Sequence, residues 1–197
     1  MRAEGRFMSS RGSVRKDERI SRSNLTRDIL TLRISYVGML VALGLVLQIV
    51  ESALPPLLPV PGAKLGLANL ATLIALMLLG PAEAFEVTAI RCLLGGLLRG
   101  SVVGLMMSFA GGMAATAVMC LLYVMPGQLF SINGISIAGA VTHNAAQLAV
   151  AMLLVRFSGL VNYLPWLLLI ALPTGLFIGI TARRLWSALA NLRQPSY

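Results

Sequence analysis

Polar and ionisable side chains interrupt the apolar stretches of this sequence, where they could bind a small molecule. Arg91 lies near the middle of one stretch, and a single stripe of the predicted helix holds Thr88, Arg91, Gly95 and Arg99. We expect Gly95 to leave room beside the guanidinium. A buried guanidinium with no acid at comparable depth favours an anion as its partner. These residue types therefore predict recognition of an anionic group.

Further polar residues fall on other apolar stretches. Three of them lie within about 100° of one another around a helix and so share one face: His143, Asn144 and Gln147. They could also satisfy one another structurally, with Glu51 pairing with Lys64 and the amides joining helices. Taken as a set, however, the polar side chains favour a binding cavity. The predicted substrate-binding residues are Lys64, Asn69, Arg91, His143, Asn144 and Gln147.

Several kinds of chemistry lack the residues that they need. The two aspartates, Asp17 and Asp28, precede the first apolar stretch, so no aspartate pair could hold Mg²⁺ on a diphosphate. No Walker A sequence is present to bind ATP. The lone His143 has no cysteine or carboxylate neighbour in sequence with which to form a zinc site. The sequence therefore predicts a protein without catalysis, metal or cofactor.

The composition indicates which elements must position these residues. Of 197 residues, 57% are apolar and 12% are charged, whereas about a quarter are charged in a soluble domain. Residues 34–182 contain four Lys/Arg and three Asp/Glu, which is typical of a polytopic membrane domain. We expect an all-α membrane protein, a compact bundle of six transmembrane helices. The predicted spans are 34–50, 65–80, 82–98, 102–124, 132–155 and 163–182.

The basic residues at the two ends predict the orientation. Nine Lys/Arg occur in residues 1–33 and three follow residue 182, and together they account for most of the net charge of +9. Basic ends that flank membrane spans favour contact with the inner leaflet over nucleic acid, and an even number of spans places both termini in the cytoplasm. We expect residues 1–33 to form a cytoplasmic tail that is disordered to residue 23, with a short interfacial helix capped by Asn24. Residues 183–197 are the predicted basic C-terminal tail.

Three segments resemble a known family. They are PLLPVPGAKLGLANLATLIAL at 56–76, IRCLLGGLLRGS at 90–101 and GISIAGAVTHNAAQL at 134–148. They resemble the bacterial Gx transporter family, also labelled heptaprenyl diphosphate synthase component I, over residues 35–182. That family is similar to the substrate-binding S components of energy-coupling factor (ECF) transporters, which are small six-helix proteins of the bacterial cell membrane.

The resemblance implies a function and its partners. An S component captures a small, vitamin-like or cofactor-precursor solute from outside, and a transmembrane coupling subunit driven by two ATPase subunits empties it. S components present a pair of small residues four apart on the first span to the coupling subunit, and Gly38 and Ala42 have that spacing here. The resemblance also implies that the proline-rich loop at 51–64 is a lid over the pocket.

The family label supports an alternative interpretation. It would make the protein a membrane partner in the synthesis of a polyprenyl (heptaprenyl) diphosphate, the precursor of the menaquinone side chain. Because the aspartate pairs of such synthases are missing, that partner would be non-catalytic. Neither interpretation names the solute.

Overall fold

Six α-helices and one short 3-10 helix account for the regular structure of the described chain. The computed structural model describes residues 4–53, 66–126 and 129–192, with side chains from residue 27 to residue 188 of these ranges. The helices are α1 (Glu4–Ala53), α2 (Asn69–Leu78), α3 (Pro81–Arg99), α4 (Val102–Val124), α5 (Ile132–Val155), the 3-10 helix (Ser158–Tyr163) and α6 (Leu164–Leu192). Each predicted span coincides with one α-helix, and the described ranges contain no strand, so the all-α prediction is confirmed.

The helices have the length and surface of a membrane protein. Four segments are long and apolar enough to cross a bilayer, namely Arg27–Ala53, Val102–Val124, Ile132–Val155 and Ser158–Ala188. Large apolar side chains lie on the outer surface, as at Leu98 and Leu153, which are 71% and 76% exposed. In water this surface would be costly, and in a bilayer it contacts lipid. The predicted membrane protein is therefore confirmed.

Two helices differ from a simple apolar span. α2 has 10 residues, which is about 15 Å of helix against a hydrocarbon core of about 30 Å. α3 has 19 residues and carries two acidic and two basic side chains, Glu83, Glu86, Arg91 and Arg99. Among their residues, Asn69 of α2 and Arg91 of α3 are predicted binding residues.

The N-terminal region differs from the prediction. We expected disorder to residue 23 and a short helix capped by Asn24, but α1 begins at Glu4 and continues to Ala53. The helix contains no proline, and the Arg, Lys and Glu residues of this region are good helix formers, so nothing in the sequence stops it. Asn24 consequently lies inside the helix. Residues 1–36 form one compact unit and residues 37–197 form another.

Local sequence signals fix where the helices of the second unit begin. Gly80 has a φ of 115°, which favours glycine, and Pro81 follows it at the first position of α3. The side chain of Ser101 accepts a hydrogen bond from the Gly104 N–H at the start of α4. The side chain of Ser131 does the same for α5. Serine caps of this kind satisfy a backbone donor that the helix leaves unpaired.

Small residues allow α5 and α6 to approach each other closely. A Cβ atom added at Gly175 would lie 2.7 Å from the Ile137 Cα, and one added at Gly179 would lie 2.8 Å from the Asn133 Cα. Helices in lipid gain little from apolar burial against each other and associate largely through close packing. Gly175 and Gly179 therefore bring the backbones of α5 and α6 into direct contact.

A chain of three threonine hydroxyls crosses the interior of the bundle. Thr72 and Thr88 are 2.8 Å apart, and Thr88 and Thr116 are 2.9 Å apart, oxygen to oxygen. Thr116 also donates to the Gly112 carbonyl. Because each hydroxyl has one proton, the Thr116 donation sets the direction: Thr72 donates to Thr88, and Thr88 donates to Thr116. This chain links α2, α3 and α4, and its Thr88 precedes Arg91 on α3 by about one turn.

Candidate functional site

Most of the candidate residues lie at one end of the bundle, around a small cavity. The cavity is formed where the end of α1, the start of α2 and the facing parts of α3, α4 and α5 come together. About 10 Å³ of it is open to water, which is room for about one water molecule. The residues that line it are Gln48, Glu51, Gly66, Ala68, Arg91, Ser108 and His143.

Arg91 is the buried cation of this cavity. It is 2% exposed, and its Nη2 donates to the Asn69 Oδ1 at 3.4 Å. Its Nε has no hydrogen-bond partner among the described residues. An unpaired donor on a buried guanidinium can donate to an anionic or carbonyl oxygen without losing an existing bond.

The glycine that makes room for Arg91 is not the predicted one. A Cβ atom at Gly44 would lie 2.5 Å from the Arg91 Cδ, so Gly44 on α1 provides the space. Gly95 lies one turn beyond Arg91, whereas helical side chains lean towards the helix N-terminus and so away from it. Gly95 instead contacts Gln48, since a Cβ there would lie 2.7 Å from the Gln48 Oε1.

Two glycines hold the other predicted residues beside the cavity. Gly66 has a φ of +81°, and a Cβ there would lie 3.1 Å from the Asn69 Nδ2 and 3.4 Å from the His143 Cδ2. On α4, a Cβ at Gly111 would lie 2.8 Å from the Gln147 Cγ and 3.1 Å from the His143 Cε1. The structure thus brings Asn69, Arg91, His143 and Gln147 into one region.

Asn144 has a different environment, and Lys64 is not described. The Asn144 Nδ2 donates to the Leu167 carbonyl at 3.1 Å and so joins α5 to α6. Of the described predicted residues, Arg91 and His143 line the cavity itself, whereas Asn69, Asn144 and Gln147 do not. Lys64 lies outside the described residues, as does the predicted lid at 51–64 apart from its first three residues, which end α1.

Three polar side chains that line the cavity were not among the predicted binding residues. Gln48, Glu51 and Ser108 are 2%, 7% and 4% exposed. The Glu51 Oε1 accepts the Gly66 N–H at 2.5 Å, which fixes the backbone before α2. The helical spacing of Gly44, Gln48 and Glu51 could have indicated a shared polar face on α1. We assumed from the sequence that no acid lies at the depth of Arg91. Glu51 lines the same cavity as Arg91, so that assumption was wrong.

The chemistry that this arrangement supports is recognition. Arg91 and Glu51 supply opposite charges, and amide, hydroxyl and imidazole groups supply hydrogen bonds. Two turns further along α3, Arg99 does not line the cavity; its Nε donates to the Gly95 carbonyl at 2.9 Å and its Nη1 donates to the Ser52 hydroxyl at 3.2 Å. Within the described ranges, no three His, Cys, Asp or Glu residues are grouped closely enough to hold a metal ion.

Gly38 and Ala42 lie away from this site, on the exposed surface of α1. A Cβ atom added at Gly38 would meet nothing within 4 Å. Neither residue is therefore used for packing within the described bundle. This part of the helix surface remains open to another molecule.

A larger cavity, of about 640 Å³, lies at the opposite end of the bundle. It is separated from the polar site by the apolar core that α1 and α2 form with α3 to α6. Its lining contains none of the predicted binding residues. The residues around it are Met77, Leu122, Tyr123, Phe130, Ser131, Ile132, Ile135, Arg183 and Trp186.

A solved structure is similar to this chain in fold, and a family model matches its sequence. The chain is similar to a solved structure of the S component of a bacterial ECF transporter, with a TM-score of 0.61 and 23% sequence identity. The match covers 83% of this chain and 99% of that chain. Among curated proteins, none matches. The family model for heptaprenyl diphosphate synthase component I matches residues 40–185. By this match over most of its length, the chain belongs to the heptaprenyl diphosphate synthase component I family, also called the Gx transporter family.

Proposed function

We propose that this protein is the substrate-binding S component of an ECF-type importer. The observation that carries the proposal is Arg91, a cation on α3, one of the predicted spans, that is 2% exposed and whose Nε has no partner among the described residues. A buried arginine in a membrane helix costs free energy and is retained where it serves a function. The fold of an S component supports the same interpretation.

The proposed orientation opens the polar cavity towards the outside. Residues 1–33 contain nine Lys/Arg, and basic segments stay on the cytoplasmic side of a bacterial membrane. With six spans, both termini are cytoplasmic. The end of α1 and the start of α2, which carry Gln48 and Asn69, then lie in the outer half of the bilayer.

The proposed solute is small and carries an anionic group. Arg91 supplies the principal charge, His143 and Gln147 contact the polar edge of the solute, and Lys64 is a further proposed binding residue. Glu51 lies on the same cavity, where its Oε1 accepts the Gly66 N–H. Because the cavity holds about one water molecule, its lining separates when the solute enters.

The proposed partners are a transmembrane coupling subunit and ATPase subunits. The exposed surface at Gly38 and Ala42 supports docking there, because small residues allow close approach of another helix.

The family description favours a second function, a non-catalytic membrane partner in polyprenyl diphosphate synthesis. In that case the anion that Arg91 binds would be a prenyl diphosphate.

The proposal is tested by the compound that the purified protein retains. Full-length protein is purified in mild detergent and denatured, and the released small molecules are identified by mass spectrometry. We expect a stoichiometric anionic compound from the wild-type protein and a ten- to hundredfold loss from Arg91→Ala, because a charge-assisted contact contributes roughly 1.5–3 kcal/mol. Arg99→Ala is the matched control on the same helix and should retain the compound.

The identity and amount of the compound decide between the functions. A water-soluble compound of vitamin size supports the importer, and a prenyl diphosphate supports the alternative. Equal retention by wild-type and Arg91→Ala protein, together with a lower melting temperature of the variant, would make Arg91 a structural residue and contradict the proposal.

A further inference from the structure

Gln48 is a buried amide whose two polar atoms both lack a partner. The side chain is 2% exposed, and neither its Oε1 nor its Nε2 makes a hydrogen bond within the described part of the chain. It lines the cavity together with Arg91 and His143. A buried polar group that is left unsatisfied destabilises the fold. This cost is offset when another molecule bonds to the amide.

Gly95 on α3 determines where the Gln48 amide lies. A Cβ atom at Gly95 would come within 2.7 Å of Oε1, 2.8 Å of Nε2 and 2.9 Å of Cδ. The amide therefore lies flat against the Cα of Gly95, in space that any side chain at position 95 would occupy. Gly95 thus positions Gln48 at the cavity.

Gln48, Asn69 and Arg91 carry four of the buried side-chain atoms that have no hydrogen-bond partner in the described ranges. Three of the four are donors, namely Gln48 Nε2, Asn69 Nδ2 and Arg91 Nε, and the Gln48 Oε1 is an acceptor. A primary amide uses its donor and its acceptor together when the ligand presents a carbonyl oxygen beside an N–H. The remaining donors suit further carbonyl or carboxylate oxygens.

We propose that Gln48 is a substrate-binding residue that recognises a lactam or carboxamide edge of the imported solute. The inference rests on the proposed importer function and names a chemical class for its substrate. The N–H of that edge donates to Gln48 Oε1, and its carbonyl oxygen accepts from Gln48 Nε2. Arg91 binds an acidic group on the same solute.

The first test replaces the amide with an apolar group of similar shape. In Gln48→Met, we expect the retained compound to fall about tenfold, while the melting temperature of the ligand-free protein rises because an unsatisfied buried amide has been removed. A lower melting temperature with unchanged retention would show that Gln48 is structural, and would overturn the inference.

Two adjacent glycines provide a matched pair for the second test. Gly95→Ala places a methyl group against the Gln48 amide, whereas Gly96→Ala places one 2.5 Å from the Leu105 Cδ1. Both substitutions crowd a buried position of α3, but only the first displaces Gln48. We expect Gly95→Ala to lose the retained compound and Gly96→Ala to keep it. Equal retention by the two variants contradicts the inference.

Defined probes test the chemical class. Pyridone presents an N–H beside its carbonyl, and N-methylpyridone has the carbonyl alone. Pyridone at millimolar concentration should raise the melting temperature of wild-type protein more than N-methylpyridone does, and this difference should vanish in Gln48→Met. Equal shifts in wild-type protein overturn the lactam assignment.

If Arg91→Ala loses the retained compound but Gln48→Met and Gly95→Ala keep it, the inference about Gln48 fails and the importer function stands. If the wild-type protein retains no compound, both fail.

Discussion

Asn144 is held by the backbone of α6, unlike the other predicted binding residues. Its Nδ2 donates to the Leu167 carbonyl. We expect Asn144→Ala to lower the melting temperature in detergent by a few degrees, because a polar contact between membrane helices contributes about 1 kcal/mol. Thr142→Ala is the control, since Thr142 donates within its own helix to the Ala138 carbonyl and should change stability little.

The same variant separates two roles for Asn144. If it still binds solute through its Oδ1, which has no partner in the described ranges, Asn144→Ala will also lose the retained compound. A variant with wild-type stability and no retained compound would contradict the structural role assigned here.

Sequence reasoning found the site residues that stand out by type. Asn69, Arg91 and His143 are strongly polar residues inside apolar runs, so composition alone singles them out. Gln48 lies three residues before Glu51 at the end of the first run, where polar residues are expected at a membrane boundary. Its burial depends on Gly95 in another helix, and a one-helix pattern does not contain that contact.

At the scale of the helices, glycine positions differ in what they accommodate. Gly175→Ala would bring a methyl group 2.7 Å from the Ile137 Cα, so α5 and α6 must separate. Overpacking of this kind costs about 1–3 kcal/mol, and we expect a clearly lower melting temperature. Gly38→Ala, which meets nothing within 4 Å, should leave stability unchanged or raise it, because alanine favours the helix. Similar melting temperatures for the two variants would contradict the close α5–α6 contact.

The number and order of the helices were predictable, but some of their limits were not. Six apolar runs separated by short polar or Gly/Pro segments determine six helices, because lipid requires every backbone group to be paired internally. Periodicity and charge do not show where a polar helix ends, so the extension of α1 back to Glu4 was missed. The short length of α2 in the described residues was missed because the apolar run is longer than the helix.

At the scale of the whole molecule, the account requires the two ends of the bundle to face opposite sides of the membrane. In a background without Cys92 and Cys120, we expect Ser101→Cys to be labelled by an impermeant thiol reagent from outside the cell. Ser187→Cys should be labelled only after the membrane is opened. Both positions are exposed, so access depends on the side of the membrane. Labelling of both from the same side would contradict the orientation and the outward-facing cavity.

A substitution on the exposed surface at Gly38 and Ala42, the proposed docking site, should affect transport without affecting solute binding. Leucine at position 42 adds bulk to the exposed face of α1 without entering the bundle, so Ala42→Leu should keep the retained compound. It should nevertheless lose the coupling subunit and most of the uptake, because close helix approach depends on small side chains. Loss of the retained compound in this variant would indicate that α1 packs differently from the structure described here.

The central claim, that this chain binds a solute for an ATP-driven importer, is tested most directly by uptake. The compound released from wild-type protein is supplied outside vesicles that contain the chain, its coupling subunit and the ATPases. The account predicts accumulation only when ATP is available to the ATPases, and a loss of at least tenfold with Arg91→Ala. Accumulation without ATP, or equal uptake by wild-type and Arg91→Ala protein, would contradict it.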